Sequence, residues 1–403
     1  MKRGYLSEFF KGVAAKRLSA VEADTAKSNQ HEFNGVKDLQ KLLGNSEKKF
    51  PTKFIYLNDL DDEPVFDIAK TTWYDAREKH PTRTEWRLYF YDNNTASLWN
   101  VGDTIVICLN NDDSLLVITA EKDSTIEKQL LWLFGIGNSL TPMFTIKDTF
   151  ETEQDRLKFA SRFILEKIGI MPQEEDQNLL DVMLSRFSEG FPSTKIFSAF
   201  AREVLSDISP IGNPDEALLR WMEYEEILFR TLEKHLIADR LQKGFSDSAE
   251  DFIKFSLSVL NRRKCRAGNA FENHIEYILQ EYKIKYSKAP ITENRKKPDF
   301  IFPGISFYHN EKFSVNLLTM LGVKTTSKDR WRQICTEADR IPKKHLLTLE
   351  PSISINQTDE MASAQIILVV PEEIRNTYTD EQKKIILKLS DFISLVLEKQ
   401  NSI

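Results

Sequence analysis

The chain has 403 residues, 41% hydrophobic and 29% charged, with a formal net charge of −6. That length supports two or three domains with cores of their own, and the charge excludes a general nucleic-acid coat, so any DNA contact must come from local basic patches. No apolar run reaches membrane-spanning length, the N-terminal "MKRGYLSEFFKGVAAKRLSAVEAD" lacks the apolar core of a secretory signal, and Cys108, Cys265 and Cys335 are too scattered for a disulfide framework or zinc site, so a reduced, cytoplasmic protein is expected.

From the N-terminus, "TKFIYLND", "TEWRLYFYD" and "DTIVICLNNDDSLLVITAEK" are rich in β-branched and aromatic residues bounded by turn formers, and read as strands. Asn111-Asp112-Asp113 reads as a hairpin turn. From about residue 150 the period turns helical in "TFETEQDRLKFASRFILEKIGI", and "QEEDQNLL" is a polar break. The expected organisation is a mainly β domain over 1–145, a helical linker over 146–178 and an α/β domain over 179–403. In the last, "DEALLRWMEYEEILFRTLEKHLIADRL" predicts a long amphipathic helix. "DFIKFSLSVLNRRK" and "GNAFENHIEYILQEY" predict two more. Short strands follow in "KIKYS", "PDFIFPG", "VNLLTMLGVKTT", "HLLTL" and "AQIILVV", predicting a mixed sheet between helices.

Three residues in this half share a possible chemistry. Asp299 stands at a strand start, Lys324 ends the next long strand, and Glu337 lies 13 residues further on. Two carboxylates and a lysine are the minimum for metal-assisted phosphodiester hydrolysis. The carboxylates suit Mg2+, a hard cation that lowers the pKa of bound water, and the lysine can orient that water and offset phosphate charge. The bland alternatives are a turn aspartate, a solvated lysine, and a helix glutamate paired with Arg340 or Lys344. The basic patches at 261–268, 294–298 and 327–332 are equally readable as solvated faces.

Residues from about 190 to 400 resemble the catalytic domain of the EcoRII restriction endonuclease family. The resemblance runs through "NPDEALLRWMEYEEILFRTLE", "DFIKFSLSVLNRRKCRAGNAFENHIEYIL", "TENRKKPDFIFPG", "LLTMLGVKTTSKDRWRQICTEADRIPKKHLLTLEPSIS" and "INQTDEM". It implies a nuclease fold with a PD…(D/E)xK core. In that pattern an acid stands two residues before the lysine, where this chain has Gly322. The resemblance implies a variant in which the acid has moved to the following helix, as Glu337. It further implies Asp299 and Glu337 as metal ligands, Lys324 as the catalytic lysine, Glu272 as an auxiliary carboxylate, and Tyr308 near the active centre. Glu272 is also readable as a surface glutamate.

With Lys324 at the scissile phosphate, the residues after it would enter the major groove. Lys328 and Arg330 suit guanine O6 and N7, and Asp329 suits cytosine N4, so a G·C-rich half-site is expected. Arg262 belongs to the same cleavage-site surface. A symmetric homodimer would read both halves of a palindrome. The resemblance implies a CC-N-GG target, CCWGG in the form with A or T at the centre. Arg220 and Tyr224, one helical turn apart, match residues that hold a flipped central base in relatives; the alternative is that Tyr224 packs in the core.

In the first half, "SNQHEFNG" and "TRTEWRLYF" resemble the effector DNA-binding pseudobarrel of EcoRII-like enzymes. Asn29, Gln30, His31 and Glu32 would sit on one arm, and Arg83, Glu85 and Arg87 on the other. The alternation in R-T-E-W-R predicts all three charged side chains on one face of a strand. The alternative is a salt-bridged edge strand. The resemblance implies double-stranded DNA bound at two or more copies of the site, allosteric relief of autoinhibition, and a cognate cytosine methyltransferase as functional partner. Two other functions fit the same residues: a nuclease of this fold serving repair or another defence, and a catalytically dead DNA-binding regulator.

Overall fold

The structure, a computed structural model, describes residues 5–403 except 24–30, 61–63, 138–139, 153–158, 171–176, 188–189, 247 and 328–329. The chain divides into two compact units, Met1–Pro172 with Ser352–Ser354, and Gln173–Pro351 with Ile355–Ile403. Among the described residues no helix is long and apolar enough to cross a membrane.

The first unit is built on an eight-stranded sheet. Its strands are β1 (Phe10–Arg17), β2 (Glu32–Asn34), β3 (Lys48–Leu57), β4 (Val65–Asp75), β5 (Trp86–Phe90), β6 (Thr104–Asn110), β7 (Leu115–Ala120) and β8 (Thr145–Lys147). They run in the order β2-β5-β4-β3-β7-β6-β1-β8, antiparallel throughout except for β3 beside β7. The unbroken apolar runs of β6 and β7 are buried on both faces, whereas β5 alternates buried with half-buried residues, as a strand with one wet face should. The predicted turn joins β6 to β7. Asp113 takes a left-handed φ of 63°, and the Asp112 carboxylate accepts a 3.0 Å bond from the Ser114 amide.

One face of this sheet holds Phe33, Trp73, Leu88, Phe90 and Trp99. Phe33 of β2 stacks on Phe90 at 4.9 Å and meets Phe144, beside β8, at 6.4 Å. The two edge strands therefore contribute to one core. The other face is covered by α2 (Thr125–Leu133) and α3 (Phe159–Lys167), through Ile126 and Leu130 with Ile164 and Leu165. A short α1 (Lys37–Leu43) lies between β2 and β3.

The second unit holds a six-stranded mixed sheet: β9 (Ser287–Lys288), β10 (Phe300–Phe302), β11 (Thr319–Lys324), β12 (Lys344–Thr348), β13 (Ile366–Val370) and β14 (Leu387–Lys388). The strands lie in the order β14-β13-β12-β11-β10-β9. From β11 to β14 they are parallel; β10 pairs antiparallel with β9 and β11. Its main helices are α4 (Gln177–Arg186), α5 (Thr194–Val204), α6 (Pro214–Lys243), α7 (Ala249–Glu281), α8 (Trp331–Cys335), α9 (Ile355–Ser363) and α10 (Leu389–Asn401). Adjacent residues of β12 show that both faces are covered. The Lys344 ammonium reaches the Cys335 carbonyl of α8 at 2.6 Å, while the His345 ring meets Phe392 of α10 at 5.0 Å.

Three expectations need correction. The two helices predicted in 251–282 are one helix, α7, of 33 residues. Gly268 costs a helix interior about 1 kcal/mol, but no proline interrupts 249–281, and burial of Phe271, Ile275 and Ile278 on the C-terminal side keeps the helix continuous. The predicted strand "VNLLTMLGVKTT" opens with a 3-10 turn over Val315–Leu317 and becomes β-structure only at Thr319. "KIKYS" contributes only its last residue, Ser287, which with Lys288 after it forms β9.

Candidate active site

The antiparallel pairing of β10 with β11 brings two distant polar residues together. Phe300 lies opposite Leu321, so Asp299, one residue before β10, faces the end of β11. Its Oδ2 accepts bonds from the Val323 amide at 2.6 Å and the Lys324 ammonium at 2.9 Å. The two side chains are only 15% and 22% exposed, so the pair is shielded but open to a ligand.

Glu337 comes from the turn after α8, not from the helix itself, which is a correction to the expectation. The helix ends at Cys335. Ala338 takes a left-handed φ of 48°, which an α-helix cannot continue through. The Lys344 ammonium, held below its ordinary pKa chiefly by burial, donates to the Cys335 carbonyl and secures that turn. Arg340 does not pair with Glu337. Its guanidinium donates to the carbonyls of Phe307, Tyr308, Glu311 and Phe313. Among the described residues Lys344 makes no ion pair with Glu337 either, so both bland partners fail.

Electrostatics tie Glu337 and Glu272 to the Asp299–Lys324 pair. Burial, and then the negative charge of Asp299, push the Glu337 carboxyl up to about 7; Lys324, Lys296 and Lys344 oppose the rise. Glu272, half-buried on α7, is likewise raised by burial and then by Asp299, against Lys288 and Lys324. Three carboxyls thus crowd one lysine, an arrangement that favours a cation or a shared proton.

The donor set is entirely hard oxygen, which fits a divalent ion of the Mg2+ kind. Among the described residues no three His, Cys, Asp or Glu side chains already form a ligand cage. Asp299 and Glu337 are the residues that would hold the ion.

Gly322 explains why the second acid is not on β11. A Cβ there would lie 2.5 Å from Ile334 Cδ1 and 3.1 Å from Cγ1, and Ile334 is fully buried. The short helix α8 covers the face on which the usual acid would stand, and Glu337 follows on that same helix's exit. Gly322→Ala is expected to destabilise the protein by about 1–3 kcal/mol through overpacking. A thermal melt shows this as a lowered midpoint, and a midpoint equal to wild type would contradict the packing argument.

Helix α7 is oriented by a buried polar chain beside Glu272. The His274 Nδ1 accepts from Arg202 at 2.9 Å and its Nε2 lies 2.9 Å from Glu225. The Arg202 donor makes Nδ1 the acceptor and so leaves the hydrogen of the neutral ring on Nε2, and burial pushes its pKa down in the same sense. Ser198 donates to Glu225 at 3.1 Å and accepts from Asn273 at 3.2 Å. No sequence period announces this network, because its members come from α5, α6 and α7.

Tyr308 is buried, with its hydroxyl donating to both Glu293 oxygens at 2.8 and 2.7 Å and accepting from the Arg340 amide at 3.2 Å. Burial, then this carboxylate, raise its pKa far above the ordinary phenol range. The structure therefore places Tyr308 as a brace between the loop before Asp299 and the turn carrying Glu337. Glu293, its partner, carried no signal in the sequence.

Of the expected base-reading residues, Lys328 and Asp329 lie outside the described residues. Arg330 is exposed at the start of α8. The segment containing them is fastened at both ends: Ser327 donates through its amide and hydroxyl to buried Glu350 at 2.6 and 2.8 Å, and Trp331 is buried. On α6, Arg220 is exposed, whereas Tyr224 is half-buried against the cluster of Met183, Phe187, Phe197 and Phe229. The Arg262 guanidinium sits over the Phe191 ring at 5.2 Å.

In the first unit, Asn29 and Gln30 lie outside the described residues. His31 packs edge-on against Phe90 at 5.8 Å. The strand containing Arg87 begins at Trp86, so Arg83 and Glu85 precede it, correcting the expectation of three charges on one strand face. Arg83 is held in the connecting turn, where its amide donates to His80 Nδ1 at 3.1 Å. Arg87 pairs with Glu85 at 2.5 Å and with Glu32 on the neighbouring strand. Arg77 pairs with the other side of Glu85, and Arg87 and then Arg77 hold the Glu85 carboxyl below its ordinary value. The surface is salt-bridged, and base contact by Arg87 would require exchange of these partners.

Residues 229–393 match the family model described as EcoRII C terminal. Over 183 residues the chain is 42% identical to the Type II restriction enzyme EcoRII of Escherichia coli, covering 45% of this chain and 45% of that enzyme. The match thus spans less than half the length of this curated relative. Among solved structures, metal-depleted Ecl18kI in complex with uncleaved, modified DNA aligns with a TM-score of 0.45 at 19% identity, covering 56% of this chain and 84% of that one. The PspGI restriction endonuclease–substrate DNA complex aligns with a TM-score of 0.43 at 18% identity, covering 53% and 95%.

Proposed function

We propose, from the premise that residues 229–393 are an EcoRII C-terminal domain, that this protein is a Type II restriction endonuclease of the EcoRII kind. The observation that carries the reading is the convergence of Asp299, Lys324, Glu337 and Glu272 at the end of β11. Asp299 and Glu337 would hold Mg2+, with Glu272 supporting the site as a third carboxylate; the ion would acidify a water and offset charge on the scissile phosphate. Lys324, oriented by Asp299, donates to the phosphate oxygen and positions the attacking water. Tyr308 acts by bracing the two carboxylate-bearing segments.

Lys328, Asp329 and Arg330 read the G·C pairs of a CCWGG or CCNGG site, and the tether from Ser327 to Glu350 supports coupling of that reading to the placement of Lys324. Arg262 contributes to the same DNA surface, and Arg220 with Tyr224 holds a flipped central base. The enzyme acts as a homodimer on double-stranded DNA, in the cytoplasm, opposite a cognate cytosine methyltransferase. The first 145 residues form an effector domain followed by a linker over 146–178 and the catalytic domain over 179–403. His31 and Glu32, with Asn29 and Gln30, and Arg83, Glu85 and Arg87 bind a second copy of the site, which relieves autoinhibition.

The test is Mg2+-dependent cleavage of unmethylated plasmids carrying one or several CCWGG sites, with fragment ends mapped. Discrete ends at CCWGG, faster cutting of multi-site plasmids, and faster single-site cutting after removal of residues 1–172 are expected. Ends at another sequence would keep the nuclease and remove the specificity. Tight, site-specific binding without cutting would favour the regulator.

A further inference from the structure

The two segments that carry Asp299 and Glu337 both contain strained backbone. Asn294 and Arg295, in the 3-10 turn leading to Asp299, take left-handed φ values of 55° and 58°, and Ala338, next to Glu337, takes 48°. Only glycine enters that region freely, and a residue stays there only where its surroundings over-determine it. Two side chains that the proposed chemistry does not use, Glu293 and Arg340, fix these segments to each other.

Glu293 opens the first segment, and both its carboxylate oxygens accept from the Tyr308 hydroxyl. Burial opposes its charge, but Tyr308 and the amides of Glu293 itself and Asp339 outweigh it, so the carboxyl lies below its ordinary value. Its reach thus extends to the second segment at Asp339, two residues past Glu337. Arg340 ties that second segment to the stretch after β10. Its guanidinium donates to the carbonyls of Phe307 at 3.3 Å, Glu311 at 3.4 Å and Phe313 at 2.6 Å, and to that of Tyr308. Its own amide donates to the Tyr308 hydroxyl at 3.2 Å. A planar fork of five N–H donors can serve four carbonyls at once, and a lysine ammonium with three cannot.

We propose that Glu293 and Arg340 are positioning residues of the metal site, holding the Glu337 carboxylate where it can share an ion with Asp299. Neither is itself a ligand. Glu293 is engaged by Tyr308, and a guanidinium has no lone pair to offer. The inference rests on the nuclease reading of Asp299 and Glu337, and goes beyond it by assigning part of the ion affinity to residues that do not bind the ion. Partners of this kind set the affinity of many metal sites through the ligands they orient.

Mn2+ binding to the full chain without DNA, read from the paramagnetic resonance of the free ion, tests it; Mn2+ takes the same oxygen donors as Mg2+. Glu293→Ala and Arg340→Ala are each expected to weaken binding about tenfold or more. Glu293→Gln, which keeps an acceptor for the Tyr308 hydroxyl, should recover most of the loss. Glu337→Gln should weaken binding at least as far as either alanine variant. Circular dichroism at the same temperature gives the folded fraction, which separates lost stability from lost affinity. Glu293 is exposed, so its truncation leaves no cavity, and that variant decides the matter if Arg340→Ala unfolds. Wild-type affinity in folded Glu293→Ala overturns the positioning role, whatever its melting midpoint. Wild-type affinity in Glu337→Gln overturns the metal reading, and the inference with it.

Discussion

Replacing Lys324 with alanine is expected to slow DNA cleavage by about 1,000-fold or more while leaving folding and DNA binding close to wild type. The ammonium lies at 2.9 Å from Asp299 and is 22% exposed, so its removal leaves no sealed cavity. On the proposed reading it removes the cation that faces the scissile phosphate and the group that orients water there. The three carboxyls then lose the charge that Lys324 sets against Glu272 and Glu337, which raises both further. Single-turnover cleavage read beside a binding isotherm separates the two effects. A lysine that merely solvates a strand end would leave the cleavage rate within a few-fold of wild type.

The second large effect concerns Glu337. Its carboxyl, raised from the ordinary 4.5 to about 7, must lose a proton before it can ligate a metal. Divalent-ion affinity is therefore expected to climb by up to about tenfold per pH unit towards 7 and to level off above it. Glu337→Gln should flatten that slope and weaken binding at pH 8 by about 10- to 100-fold. Stability runs the other way. A raised folded-state pKa means that protonated Glu337 contributes stability fully below pH 4.5, and this is lost as pH rises through about 7. In the presence of a chelator the glutamine variant should therefore gain stability over wild type above pH 7 and show little gain at pH 4. Calcium titrations and thermal melts at several pH values check both signs. An affinity with no pH dependence between 5 and 8 would place Glu337 outside the metal site.

The parts of this site that follow from strand alternation and strand ends were legible in the sequence. Asp299 before "FIF" and Lys324 after "TMLGV" occupy adjacent ends of an antiparallel pair, and such ends meet whatever surrounds them. What depended on tertiary packing was not legible. Gly322 reads as a mere gap in a motif until Ile334 is seen filling the space above it. Glu337 reads as helical because nothing in "CTEADR" marks the left-handed turn at Ala338, which is stabilised by Lys344 from another strand. Helix α7 reads as two because Gly268 is a weak stop signal that burial on α6 and the sheet overrides. The charges of Glu85 and Arg87 stood out in the sequence, but only the structure shows that they pair with each other, and Arg87 with Glu32 of the neighbouring strand, so that they are already satisfied there.

The most direct test of the central claim, that Asp299, Lys324 and Glu337 form one hydrolytic centre, is a single-turnover cleavage assay on DNA carrying CCWGG. Wild type, Asp299→Asn, Lys324→Ala and Glu337→Gln are compared at saturating protein, with and without Mg2+. The account predicts Mg2+-dependent cutting by wild type alone, with all three variants binding the DNA and cutting it about 1,000-fold more slowly or not at all. Cutting by any one of the variants at the wild-type rate would contradict it.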